Sequence, residues 1–282
     1  MRVLNLRKLD RHRIKTFRLP PGEPIYSLSQ AAAFVRQRGF VYLWPNKGID
    51  LPSLWTAVAG ARPVPAAHDD PGHITWRWKD TALPKRLWYY GKILRRKATM
   101  ISLAVVPYFY ALSDNYGSPE EDYLSSYQEG RLTQNAKNIY EVLLKDGPTD
   151  SVALRKTARL SGAKESEWNR ALEDLQNGFK ILPIGIAEAG AWKYAFIYEI
   201  TARYYPELAE DARSISESSA REELVELYFA SVGAAQAGDV SKLFGWGADL
   251  TSRVLSRLTE RRALQEVIHP DKKGLWFSLG SL

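Results

Sequence analysis

Cysteine is absent from the 282 residues, which excludes disulfides, thiolate nucleophiles and cysteine-ligated zinc together. Histidine is scarce, and the four residues, at positions 12, 68, 73 and 269, are too scattered to suggest a histidine metal cage. No apolar run approaches the roughly 18–20 residues that a membrane span needs. The opening MRVLNLRKLDRHRIKTF has cations but no apolar signal core, so a cytoplasmic location is expected. A Ser/His/Asp order, a phosphate-cradling glycine loop and HExxH are also missing, and no cofactor signature is present. With 45% apolar and 25% charged residues, the chain is neither disordered nor fibrous, and it is long enough for one large domain or two to three small ones.

What is present is positive charge in two places. Of the net +7, residues 1–18 supply +6, with seven cations against Asp10, and residues 77–97 supply +7, with eight against Asp80, leaving −6 for the rest. Clustered cations suit a polyanion, because phosphate neutralisation with counterion release needs them at one surface. The alternative is a solvated basic face plus a loose tail.

The basic opening runs into Leu19-Pro20-Pro21-Gly22 and reads as a flexible arm over residues 1–24. An aromatic-rich mixed α/β unit is expected over 25–131. In it, Ser27 or Ser29 caps a helix that stops at Gly39, and Phe40–Trp44 forms a strand. His68–Gly72 is a turn, Thr75–Lys79 alternates like a strand, Leu83–Leu94 has helical spacing, and Ala98–Val106 is strand-like. Three helices and a β-hairpin then occur twice, over 132–206 and 217–282, the order of a winged helix-turn-helix. The fold class is therefore α+β, mainly helical, with a mixed N-terminal unit followed by tandem winged helix-turn-helix domains.

Duplex DNA, intact or damaged, is the partner this layout suggests. Candidate phosphate contacts are Arg77, Lys79, Lys92, Arg95, Arg96 and Lys97, with Arg253, Arg257 and Arg261 on the second third helix. A solvated helix face is the alternative for that arginine row. Five of nine tryptophans fall between residues 44 and 88, and Tyr42, Trp44, Trp76 and Trp78 are the candidates to stack on a flipped base, against the alternative that they are core. Alternation would place Trp76, Trp78 and Asp80 on one side of a strand and Arg77 and Lys79 on the other. Asp69, Asp70 and Asp80 are the local carboxylates that could stabilise oxocarbenium-like charge or orient water; for Asp69 and Asp70, simple turn formation is the alternative.

Leu28-Ser29-Gln30-Ala31, Val35-Arg36, Gly39–Trp44, Leu54-Trp55, Leu94–Leu103 and Gly130–Thr133 together carry a family likeness. In these segments the chain resembles the AlkZ and YcaQ group of winged-helix DNA glycosylases, especially its shorter AlkZ-related members, from about Ser27 to the end. The resemblance implies DNA binding and a role in repair or damage recognition. It also implies a water-positioning Gln-x-Gln or Gln-x-Asp motif, but the aligned places here hold Tyr42 and Trp44, which can neither deprotonate nor orient water as a carboxamide or carboxylate would. Ile101 stands where the group has histidine. Three readings follow: a DNA-binding relative without the family's catalytic route, an active glycosylase using Asp69, Asp70 or Asp80, and a scaffold whose winged helices bind proteins.

Overall fold

The computed structural model describes residues 2–67 and 69–282, so Met1 and His68, the latter part of the expected turn, lie outside the described residues. The chain opens with β1 (Arg2–Val3) and α1 (Leu6–Phe17), whose Asn5 cap accepts from the Lys8 N–H. Ser27 caps α2 (Leu28–Arg38), and Gly39 ends it at φ 79°, a conformation costly for any residue with a Cβ. Then come β2 (Phe40–Tyr42), α3 (Leu54–Ala59), α4 (Ile74–Ala82), β3 (Tyr89–Lys92), β4 (Ala98–Ile101), α5 (Val106–Tyr110) and α6 (Pro119–Gln128). A first series follows: α7 (Gln134–Asp146), β5 (Thr149–Asp150), α8 (Ser151–Thr157), α9 (Glu165–Asn177), β6 (Ile181–Ala187) and β7 (Ala195–Ile200). After α10 (Thr201–Tyr204) and α11 (Leu208–Arg213), the series recurs as α12 (Glu217–Val232), β8 (Ala234–Ala235), α13 (Ala237–Phe244), α14 (Ala248–Glu260), β9 (Leu264–Ile268) and β10 (Leu275–Leu279). The fold is thus α+β and mainly helical. Each series has the expected three helices and hairpin, and each adds a short strand after its first helix that pairs with the hairpin's second strand.

Contacts divide the chain into two compact units, one of Met1–Trp78, Met100–Val105 and Glu217–Leu282, the other of Lys79–Thr99 and Val106–Ser216. This division differs from the four expected segments, because the aromatic stretch is shared out and the basic opening packs with the last series.

In the first unit the sheet runs β1-β9-β10-β8, with Arg2 of β1 opposite Val267 in parallel register. Leu4 and Leu9 are buried with Val267, Trp276 and Leu282. The last carbonyls of α12 have no partner within their own helix, and side chains supply one. Arg38 donates to Ala230 O at 2.9 Å, the Thr16 hydroxyl to Ser231 O at 2.7 Å, and Arg13 Nε to Val232 O at 2.9 Å. Two cations at a helix C-terminus also suit its dipole. The expected flexible arm is therefore an ordered helix, fixed by its apolar face and by these caps. The sequence signal was present, as Leu9 and Thr16 are the buried positions of α1, but the cations surrounding them obscured it.

The second unit is built around the first series. Its core joins Ile139, Tyr140 and Leu143 of α7 to Trp168, Leu172 and Leu175 of α9 and to Ile181, Tyr198 and Ile200 of the hairpin, beneath the sheet β5-β7-β6.

Two local expectations change. Residues 75–79 are helical: Asp70 caps a 3-10 turn, Pro71–His73, that leads directly into α4, and the Thr75 hydroxyl donates to Gly72 O at 3.0 Å. This local nucleation outweighs the strand preference of the tryptophans. The buried positions are Thr75, Trp78, Lys79 and Ala82, the i, i+3, i+4, i+7 spacing of one helix face. Within 83–94, the expected helix gives way to β3, after a turn that follows Pro84.

Leu9→Ala is expected to cost about 2–4 kcal/mol, as buried leucine truncations do, measured as a fall in the urea midpoint. A midpoint equal to wild type would mean that α1 is dispensable to its unit.

Candidate nucleic-acid interface

Four rings meet in the first unit. Trp44 lies 5.4 Å from Trp55, 5.8 Å from His73 and 6.2 Å from Trp76, centroid to centroid, and Trp55 lies 5.4 Å from His73. Trp55 is fully buried, Trp44 and His73 are half-buried, and Trp76 is 41% exposed, so the cluster has a wet side formed by Trp44 and Trp76. Helical phase produces this: α4 turns Trp76 outward and Trp78 inward. Tyr42 and Trp78, expected to line a base pocket, are instead core, at 0% and 8% exposure.

A hydrogen-bonded loop backs the rings. Arg62 donates to both oxygens of Asp70, at 2.9 and 2.6 Å, and its guanidinium stands 4.9 Å from the Trp55 ring centroid. Trp55 Nε1 donates to Arg62 O at 3.1 Å, and the Gly72 N–H donates to Asp70 at 2.8 Å. Only glycine fits at 72, because a Cβ there would come within 2.7 Å of the Trp55 ring. Arg62 and the Gly72 N–H hold the Asp70 carboxyl below its usual pKa. Asp70 is thus committed as anchor and cap, while Asp69 is exposed in the preceding turn. Arg62, Trp55 and His73 were not anticipated. Sequence separation hid Arg62, although the Pro-Gly pair after Asp70 marked the cap.

The third carboxylate, Asp80, is in the second unit. It accepts from Tyr194 OH at 3.0 Å and pairs with Lys79 Nζ at 2.7 Å, and Lys79 also donates to Tyr194 OH at 2.8 Å. Phe196 is 4.4 Å from Lys79 Nζ, and the lysine is 1% exposed. Burial, opposed by Asp80, lowers the Lys79 pKa to about 8. Lys79, expected as a phosphate contact, is a buried post holding Tyr194 at the start of β7.

Other expected cations remain outside. Arg77 is exposed, Lys92 half-buried, and Arg95, Arg96 and Lys97 exposed on one loop. Arg95 and Arg96 are both left-handed, at φ 54° and 56°, a conformation that costs a non-glycine residue roughly 1 kcal/mol or more. The last turns of α9 hold the loop in place. Asp174 pairs with Arg96 at 2.6 Å, Gln176 accepts from the Lys92 N–H at 3.1 Å, and Asn177 donates to Ile93 O at 2.6 Å. The Thr99 hydroxyl accepts from the Leu94 N–H at 3.2 Å and donates to Lys97 O at 2.7 Å.

The arginine row of α14 is divided. Arg253 is exposed, but Arg257 donates to Ser218 and lies 3.6 Å from Glu222, and Arg261 pairs with Glu222 and with Glu226 at 3.5 Å. Two of the three expected contacts therefore tie α14 to α12.

The family model described as AlkZ related matches residues 25–245. The chain belongs to the AlkZ-related family. Among solved structures it is similar to the Streptomyces sahachiroi DNA glycosylase AlkZ, at 14% identity and a TM-score of 0.60, over 99% of this chain and 71% of that one. At that identity the likeness is one of fold. A comparison with curated proteins gives no match.

Asp70→Asn is expected to lower the urea midpoint at pH 7. A carboxyl held below its unfolded pKa stabilises the fold above that pKa and loses the effect as pH falls through the folded one, so the gap to wild type should start to close near about pH 4. A gap independent of pH would remove the ion pair from the explanation.

Proposed function

We propose that this protein binds duplex DNA as a repair or damage-recognition member of its family, through tandem winged helices, without the water-positioning residues of the family's glycosylases. The observation that carries the reading is the half-exposed pair Trp44 and Trp76, backed by Trp55, His73 and the Arg62–Asp70 anchor. Trp44 stands where the resemblance puts a catalytic carboxamide or carboxylate. A ring there cannot activate water, but it offers a face on which an unstacked base can rest. Arg77, Lys92, Arg95, Arg96, Lys97 and Arg253 are assigned to phosphates. The double left-handed turn of Arg95 and Arg96, secured by α9, supports that role, because local strain held by surrounding structure accompanies pre-organised binding groups.

A second reading, a protein-interaction scaffold, rests on Trp192, which is 91% exposed in the turn between β6 and β7.

The deciding experiment is a salt-titrated binding assay on intact, mismatched and alkylated duplexes, with free base measured in the same tubes. Micromolar or tighter binding with a steep salt slope and no base release is expected. Trp76→Ala should reduce the preference for lesion-bearing duplex by about 5- to 100-fold, the worth of one base stack. No binding at about 50 mM salt sinks the proposal, and base release would assign hydrolysis to a group among Asp69, Asp70 and Asp80.

A further inference from the structure

Helix α1 lies outside the residues that match the family model, which begin at 25. It is nonetheless packed against α12. Leu9 is buried, and Arg13, Thr16 and His12 are each directed to carbonyls at the end of α12. Arg13 also reaches Asp50, at 3.2 Å. The rotation of the helix is thereby fixed, and so is its outer face.

That face carries Arg7, Arg11 and Lys15, all exposed, at i, i+4 and i+8. Their Cα atoms fall in one row at intervals of about 6 Å. Among the described residues none of the three forms an ion pair; Arg11 Nε donates only to the carbonyl of Arg7, at 3.3 Å. Like charges at i, i+4 destabilise a helix, so the row costs stability in the isolated protein. An anion along it would reverse the sign of that cost.

The neighbouring strand end also bears cations. β1 runs parallel to β9, so the two strands leave the sheet at one end, β1 into α1 and β9 into the turn that bears exposed Lys272 and Lys273. The carboxylates on these segments are Asp10 of α1, the exposed Glu266 of β9 and Asp271 of the turn.

We infer that the Arg7–Arg11–Lys15 row of α1 is a phosphate-backbone docking edge for duplex DNA, resting on the DNA-binding reading above. The row spans about 12 Å, the axial rise over which one strand presents about three to four phosphates at roughly 3.4 Å each. The row reads no base edge. It adds affinity regardless of sequence or lesion, unlike the tryptophan pair.

The test uses the full chain and a labelled duplex of mixed sequence, titrated from about 50 to 200 mM salt. Neutralising three phosphate contacts in Arg7→Gln/Arg11→Gln/Lys15→Gln should reduce the salt slope by about 2–3, and the affinity at about 100 mM salt by tenfold or more. The preference for lesion-bearing over intact duplex should stay unchanged. Arg7→Lys/Arg11→Lys should keep the wild-type slope. On the unmodified protein, acetylation of Lys15 should fall severalfold when duplex is added, with Lys145, exposed in the last turn of α7, as the internal reference, which reads the same contact without a variant. Wild-type binding with an unaltered slope in the triple variant, or with Lys15 equally reactive, overturns the assignment to α1. Absence of wild-type binding overturns the DNA reading itself, so the two failures are distinct.

Discussion

The Asp70 carboxylate is the constraint on which the aromatic site depends. Its oxygens accept both arms of Arg62 and the N–H of Gly72, and this starts the turn that becomes α4. Once α4 begins at Ile74, its phase is set. Trp76 turns to solvent, while Trp78 and Lys79 turn inward. A strand through the same residues would have placed both tryptophans on one side and Lys79 on the other. One cap therefore decides which aromatic is available and which lysine is buried. The buried lysine then becomes a support, holding Tyr194 beside Asp80.

The charges on the two third helices are largely used within the protein. On α9, Asp174 steadies Arg96 of the basic loop, together with Gln176 and Asn177. On α14, Arg257 and Arg261 meet Glu222 of α12. In both cases ion pairing positions an element. Cations remain outside such pairs on Arg95 and Lys97 of the basic loop and on α1; the loop's backbone is held by side chains of α9, and α1 is fixed through its own side chains to the end of α12.

Periodic elements were legible in the sequence. The Ser27 cap and Gly39 stop of α2, and the repeated order of three helices and a hairpin, all follow from local rules of capping and spacing. What escaped was non-local or conflicted. Tryptophan's strand preference masked the helical i, i+3, i+4, i+7 burial of Thr75, Trp78, Lys79 and Ala82. Cations on α1 masked the inward face formed by Leu9 and Thr16. Of the candidate site, Trp44 and Trp76 were anticipated and do meet, whereas Arg62, Trp55 and His73 join them only through the loop that Asp70 closes. The pairing of Arg257 and Arg261 needed the carboxylates of α12, roughly forty positions earlier, which no window of one helix contains.

The pairing of β1 with β9 has a consequence for biosynthesis. Arg2 finds its neighbour at Val267, so the first strand made must wait for almost the last, and such distant closures are slow. The second unit is complete in sequence once Ser216 has left the ribosome, and its core can form while the first unit still lacks α12 and the strands that cover Leu4 and Leu9. The nascent chain thus carries an apolar edge flanked by seven cations through most of translation. Like charge clustered beside such an edge opposes association between nascent chains until its cover arrives.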